Sequence, residues 1–175
     1  MNIFHKSMDL LKKPVIFHTY NQIRGVHPAD KITSHIWLGN IQASHDIHFL
    51  KENKISVIVN CTQNEPFHPY FQSLPKIRVD VSDHRNEENI EKFYQQLPST
   101  VQFIQNQVKN NQNVLIHCYW GFMRSATVVA AYLMKEYQMN PNQVIPLIQE
   151  KRPQTFGSIY NFNELLFRFY EENIL

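Results

Sequence analysis

The sequence predicts an α/β fold, a central and mostly parallel sheet of about four or five strands flanked by helices. Three observations carry the prediction. Short β-branched apolar runs alternate with longer amphipathic stretches, the pattern of strands joined by crossover helices. The runs ISVIVNC (55–61) and NVLIHC (113–118) are too short for buried helices and too uniformly apolar for strands with one wet face, so both read as interior strands. Between them, Ile90, Phe93, Leu97, Val101, Ile104 and Val108 recur at intervals of three or four, the period of one apolar helix face.

Taken in order, residues 1–30 read as a lead-in. It holds a weakly helical MDLLKK, and Pro14 and Pro28 bracket a stretch without clear period. One domain is expected over 31–175. SHIWLGN (34–40) predicts a strand closing on the turn pair Gly39-Asn40. Ile47, Phe49 and Leu50, spaced among polar residues, suit a short helix. Three prolines and no period make 62–75 a loop, and KIRVDV (76–81) alternates as a strand does. After the polar bend SDHRNEE, the apolar stripe predicts a helix over 89–110, with Pro98 expected to kink or divide it. A helix from Ser125 carries Val128, Val129, Tyr132 and Leu133, and two more follow near 141–151 and 160–173.

Composition narrows the function. A chain of 175 residues, 43% hydrophobic, has the size and apolar content of one folding unit. A net charge of +2 with 18% charged residues is too balanced for the strongly basic face that nucleic-acid binding asks for. No apolar run approaches the ~20 residues that span a bilayer. The opening MNIFHKSMDLLKKPVIF has neither the long apolar region nor the small-residue cleavage site of a signal peptide. Two cysteines, Cys61 and Cys118, build neither a disulfide framework nor a four-cysteine zinc site. A reducing, intracellular and cytoplasmic location is expected, with the nucleus not distinguished.

The chemistry is concentrated in HCYWGFMRS (117–125), between an apolar strand and a helix start. A strand running into a helix N-terminus leaves backbone N–H groups aimed into the turn, where the helix dipole favours an anion. The same field stabilises a Cys118 thiolate, and cysteines so placed have pKa values lowered to roughly 3.5–7.5. Gly121 lets the backbone curl around an oxyanion, and Arg124 offers a planar fork for two phosphate oxygens. Ser125 can cap the helix, and its hydroxyl is within reach of the sulfur.

His-Cys, five residues, then Arg-Ser resembles the signature of the cysteine-dependent protein tyrosine phosphatases, and the rest of the chain is similar to their dual-specificity branch. ITSHIWLGN (32–40), ISVIVNCT (55–62), SATVVAAYLMKEYQM (125–139) and EKRP (150–153) carry the likeness over roughly 30–170. The resemblance implies hydrolysis of phosphate monoesters on a phosphorylated protein, on tyrosine with or without serine and threonine, with no metal or other cofactor. Cys118 would be the nucleophile, forming a phosphocysteine, while residues 118–124 (Cys118, Tyr119, Trp120, Gly121, Phe122, Met123, Arg124) would bind the phosphate. An acid would protonate the leaving oxygen and then activate water. In the family it follows the third strand, where Asp83 fits. Asp80 is second choice, because the alternation of IRVDV places it inside a strand. His117 is expected to hold the loop by hydrogen bonding and to tune Cys118. Rival readings are a phosphoinositide or RNA 5′-phosphatase of the same fold, or a catalytically silent phosphate-binding module.

The sequence departs from the family in several places. Trp120, Phe122 and Met123 are bulkier than usual, and their side chains either form an apolar rim suited to an aromatic phosphoester or fill space behind the loop. The loop has no Lys, which speaks against polyphosphorylated ligands. Past Arg152-Pro153 the family's Pro-Asn pair is replaced by QTFGSIYNF, which puts the usual support of the loop in doubt. Cys61 ends a strand beside that of Cys118. A small buried hydrophobe is expected there, and a reversible disulfide with Cys118 is the alternative. His45 and His48, with Asp46, have the spacing to share a helix face but no third ligand nearby, so a solvated pair is expected rather than a metal site.

Overall fold

The computed structural model describes residues 27–84, 86–157 and 162–175. The weakly helical tract expected in the lead-in lies outside these residues, as do positions 160 and 161 of the last predicted helix.

The strands are β1 (Ala29–Lys31), β2 (Ile36–Gly39), β3 (Ile55–Asn60), β4 (Lys76–Arg78) and β5 (Asn113–His117). They form one sheet in the order β1-β2-β5-β3-β4. β1 pairs antiparallel with β2 at one edge, and every other pairing is parallel. Parallel neighbours need crossovers, which helices supply. α1 (Ile41–His45) and α2 (Ile47–Glu52) lead from β2 to β3, and α3 (Glu87–Lys109) leads to β5. After β5 come α4 (Arg124–Tyr137), α5 (Pro141–Lys151) and α6 (Asn163–Asn173).

Both faces of the central strands are dry, which is why their sequences read as unbroken apolar runs. Val57, Val59, Val114 and Ile116 point into the larger core with α3, α4, α5 and α6, whereas Ile55, Ile58 and Leu115 point the other way, onto Ala43, Leu50 and Phe71. The period of two along a strand produces that division from Val57 onward, and the irregularity between Ile55 and Val57 turns Ile55 to the other face. α4 lies at the centre, with every residue from Arg124 to Met134 buried. It ends at Gln138, whose left-handed φ of 55° closes the helix through N–H bonds from Gln138 and Met139 to the Met134 carbonyl.

Three expectations are corrected. α3 runs as one 23-residue helix with Pro98 inside it, so no division occurs. Phe93, Leu97, Val101 and Ile104, on both sides of the proline, bury against the same core, and the Ser99 and Thr100 hydroxyls both donate to the Gln96 carbonyl. β4 stops at Arg78, so Asp80 is not in a strand. His45 and His48 do not share a helix, because Asp46 ends α1 and caps α2, accepting from the His48 and Phe49 N–H groups.

Candidate active site

Gly39, His117 and Asn60 lie level in neighbouring strands, so β2, β5 and β3 end together at their carboxyl ends. Open parallel sheets bind ligands beyond that edge. Cys118 is the next residue along the middle strand, and the chain loops through Tyr119–Met123 into α4. Met123, at the N-cap, gives no side-chain cap, so the first-turn amides of α4 are not satisfied by a capping side chain.

The loop's carbonyls are tied from behind. Tyr119 O accepts from the Ile41 N–H (3.2 Å), Gly121 O from Arg152 Nε (2.9 Å) and Phe122 O from the Phe156 N–H (3.3 Å). Met123 O accepts from the Thr127 N–H and hydroxyl at 2.8 and 3.0 Å. In a trans peptide the C=O and the following N–H point opposite ways, so each tie turns an amide to the other side of the loop. The support that the missing Pro-Asn pair put in doubt is thus supplied by Arg152 and Phe156. Gly121 has φ +73°, and a Cβ there would fall 2.6 Å from the Gly39 carbonyl oxygen, so only glycine fits.

Cys118 is 2% exposed, with its sulfur accepting from the Gly121 N–H and the Ser125 hydroxyl, both at 3.2 Å. Burial alone would raise its pKa. The Arg124 charge, the Ser125 hydroxyl and the Ser125 and Gly121 amides outweigh burial and hold it below the ordinary thiol value. Ser125 does not cap α4, because the helix already begins at Arg124. Its hydroxyl is committed to the sulfur instead. Cys61 is fully buried and free, and burial followed by the Cys118 charge pushes its pKa up, so it stays a thiol.

Burial pushes the His117 pKa down to about 3, and a hydrogen-bonding contact with the Cys118 main chain opposes that. His117 is a neutral ring packed beneath the loop.

Asp83 lines the cleft and pairs with Arg124. Its Oδ1 is 2.6 Å from Arg124 Nε as an ion pair, and its Oδ2 accepts from Nη2 at 2.8 Å. The Arg124 side chain is 6% exposed and that of Asp83 is 68%, so a buried cation meets an open carboxylate. Asp80 instead pairs with Lys92 at 2.6 Å, and that hydrogen bond lowers its pKa. An unexpected residue holds the Asp83 segment in place. The Asn89 amide donates to the Ser82 and His84 carbonyls and accepts from the Ser82 N–H. Its signal in the sequence was a polar residue on the apolar face of a helix's first turn.

The cleft has a volume of about 440 Å³, with Arg124 on one side and Thr62–Glu65, Ser82–His84 and Tyr119 around it. Asn60 and Arg78 fix its 62–65 wall through bonds to Thr62 and to the Glu65 carbonyl. Tyr119, Trp120 and Phe122 form a half-buried aromatic row, with Trp120 and Phe122 stacked at 6.4 Å. The structure therefore brings Cys118, Arg124, Ser125, Gly121 and Asp83 together and leaves Asp80 outside.

A buried cysteine held below the ordinary thiol pKa at a helix N-terminus, in a loop whose carbonyls are tied from behind, is the site of the cysteine-dependent phosphatase class. The chain belongs to the dual specificity phosphatase catalytic domain family, whose model matches residues 36–172. It is 29% identical over 137 residues to human dual specificity protein phosphatase 9, covering 78% of this chain and 35% of that protein. It is 34% identical over 123 residues to dual specificity protein phosphatase 15 of Rattus norvegicus, covering 70% and 50% of the two. The chain spans about a third of the length of human phosphatase 9 and of the Drosophila melanogaster phosphatase Mpk3. The crystal structure of DUSP15 superposes with TM-score 0.71 at 26% identity, covering 81% of this chain and 86% of that one. That of human DUSP28, at 22% identity, shares the fold with TM-score 0.74, covering 83% and 94%.

Proposed function

We propose that this chain is a protein phosphatase that hydrolyses phosphotyrosine, and phosphoserine or phosphothreonine as well, through a phosphocysteine. One observation carries the reading, the Cys118 sulfur receiving an amide and a hydroxyl at the start of the helix that carries Arg124, whose guanidinium holds Asp83. In the first step Cys118 Sγ attacks phosphorus, the ester P–O bond breaks, and protonated Asp83 gives its proton to the leaving oxygen. The equatorial oxygens are held by Arg124 and by the loop amides. In the second step water attacks phosphorus, Asp83 takes its proton, and the S–P bond breaks to return the thiolate and release phosphate. A phosphate dianion in the Arg124 fork displaces the Asp83 carboxylate from its ion pair and leaves it beside the reacting oxygens.

The aromatic row beside the loop supports an aryl phosphate over a small polar one. Among the described residues that line the cleft, Arg124 is the single cation, which suits a monoester better than a polyphosphate. No helix among the described residues is long and apolar enough to cross a membrane, and a low-pKa thiolate works in a reducing, intracellular compartment.

The test is turnover of phosphotyrosine, phosphothreonine, inositol lipid and 5′-triphosphorylated RNA substrates. Phosphotyrosine peptides should turn over with vanadate inhibition, and Cys118→Ser should abolish it. Binding of phosphopeptide without turnover would identify a silent module.

A further inference from the structure

We infer that Arg152 is a positioning residue for the phosphate loop, orienting the Gly121–Phe122 peptide and setting a second guanidinium behind Cys118. The inference deepens the proposed phosphatase reading and rests on it for its kinetic readouts, although not for its chemical ones.

Arg152 sits at the C-terminal end of α5 and is among the most deeply buried large side chains of the chain. A guanidinium is costly to bury unless its donors are matched. Nη1 is held by the Asp30 carboxylate on β1 and by the His27 carbonyl. Nε donates to Gly121 O inside the loop. Nη2 has no partner among the described residues, and a Cβ on Gly121 would fall 2.8 Å from it, so this donor faces the loop itself. One side chain thus ties edge strand β1 to the residue on which the loop pivots.

The consequence for the loop is directional. Drawing Gly121 O toward Arg152 turns the Phe122 N–H to the opposite side of that peptide. The next carbonyl, Phe122 O, is held in the same way by Phe156 N–H, four residues beyond Arg152. Phe156 is kept at φ +56°, a conformation a bulky residue holds only where its surroundings over-determine it. The 152–156 turn is therefore a strut behind two consecutive loop peptides.

The charge has a consequence too. Burial lowers the Arg152 pKa, and the Asp30 and Cys118 charges oppose that, so Arg152 and the thiolate feel each other. The other groups bearing on Cys118 are Arg124 on α4, Cys61 beyond β3 and neutral His117 on β5, with Asp83 acting through its pair with Arg124.

The test compares Arg152→Lys, which keeps the charge and loses the fork, with Arg152→Met, which loses both. Thermal unfolding establishes which variants fold. Inorganic phosphate affinity and the pH dependence of Cys118 alkylation by iodoacetamide are then measured alongside kcat and KM on a phosphotyrosine peptide. In Arg152→Lys, phosphate affinity should fall about tenfold and kcat/KM by ~10–100-fold, with the thiol pKa nearly unchanged, because oriented donors and not net charge are lost. In Arg152→Met the thiol pKa should also rise, because a nearby cation is lost. A folded Arg152→Lys that binds phosphate within twofold of the parent overturns the positioning role, and this variant decides the matter if Arg152→Met does not fold. An unchanged thiol titration in folded Arg152→Met overturns the electrostatic part. Absence of turnover in the parent would defeat the proposed activity, while the phosphate-binding and alkylation readouts would still judge Arg152.

Discussion

The carboxylate of Asp83 occupies the fork of Arg124, with one oxygen 2.6 Å from Nε and the other 2.8 Å from Nη2. The third guanidinium nitrogen, Nη1, donates to the Val81 carbonyl at 3.3 Å, so the segment that carries the acid engages the whole cation. A phosphate needs the same two donors in the same plane. The residue proposed to protonate the leaving group is therefore also the resident anion that substrate displaces.

Asp83→Ala should separate binding from turnover. Arg124 is released, so inorganic phosphate and vanadate should bind as tightly as to the parent or several-fold tighter. Loss of general-acid catalysis should lower kcat on a phosphotyrosine peptide by ~10²–10⁴-fold, with less effect on p-nitrophenyl phosphate, whose leaving group needs little proton help. Steady-state kinetics with phosphate inhibition checks both, and parallel losses of kcat and phosphate affinity would contradict this account.

Ser125→Ala removes one of the donors that hold the Cys118 sulfur, so the thiol pKa should rise toward its ordinary value while the fold is kept. The sign matters for stability as well. A depressed thiol pKa contributes stability that is fully present above the unfolded value near 9.0 and is lost as pH falls through the folded value. Iodoacetamide alkylation against pH should show the midpoint for Cys118 displaced upward in the variant. Cys61, buried and pushed the other way, should label only on unfolding.

Gly121→Ala should be among the most damaging single-methyl additions in the chain. The residue would be held at φ +73° with its Cβ 2.6 Å from the Gly39 oxygen and 2.8 Å from Arg152 Nη2. The first neighbour is backbone and the second belongs to a buried side chain tied at Nε and Nη1, so the loop must shift, at a cost of about 1–3 kcal/mol. Urea unfolding should register that loss, and phosphate affinity should fall with it.

Much of this was legible in the sequence because the signals are local. The buried runs at 55–61 and 113–118 betray central strands, since both faces of such a strand are covered. Cys118, Gly121, Arg124 and Ser125 lie within eight residues, so their spacing is already their geometry. What remained hidden depends on contacts far apart in sequence. β1 is three residues long and owes its existence to pairing with β2, not to its own composition. Arg152 reaches Gly121 across 31 residues and Asp30 across 122. Asn89 bonds main-chain groups of a loop that has no period of its own.

His117 should make the protein acid-labile. Its pKa falls from 6.5 in the free side chain to about 3 in the fold because the ring is buried. Between those values the unfolded chain binds a proton that the folded chain refuses. Stability must then decline as pH drops, by up to about 1.4 kcal/mol per pH unit for a single such site. Above the unfolded value both states are neutral there and the effect vanishes. Buried carboxylate pairs also lose stability in acid, so the parent's curve alone does not isolate the histidine, whereas the difference from His117→Phe does. Phenylalanine has nearly the same shape and no proton to bind. Urea unfolding of parent and variant from pH 7.5 to 4.5 should give free energies that agree within about 1.5 kcal/mol at the neutral end, the usual tolerance for volume-conserving swaps. Their difference should then move steadily in favour of phenylalanine as the solution is acidified. Two curves that run parallel over that range would mean that His117 protonates in the folded state, and that the site beneath the loop is wetter or better paired than its burial implies.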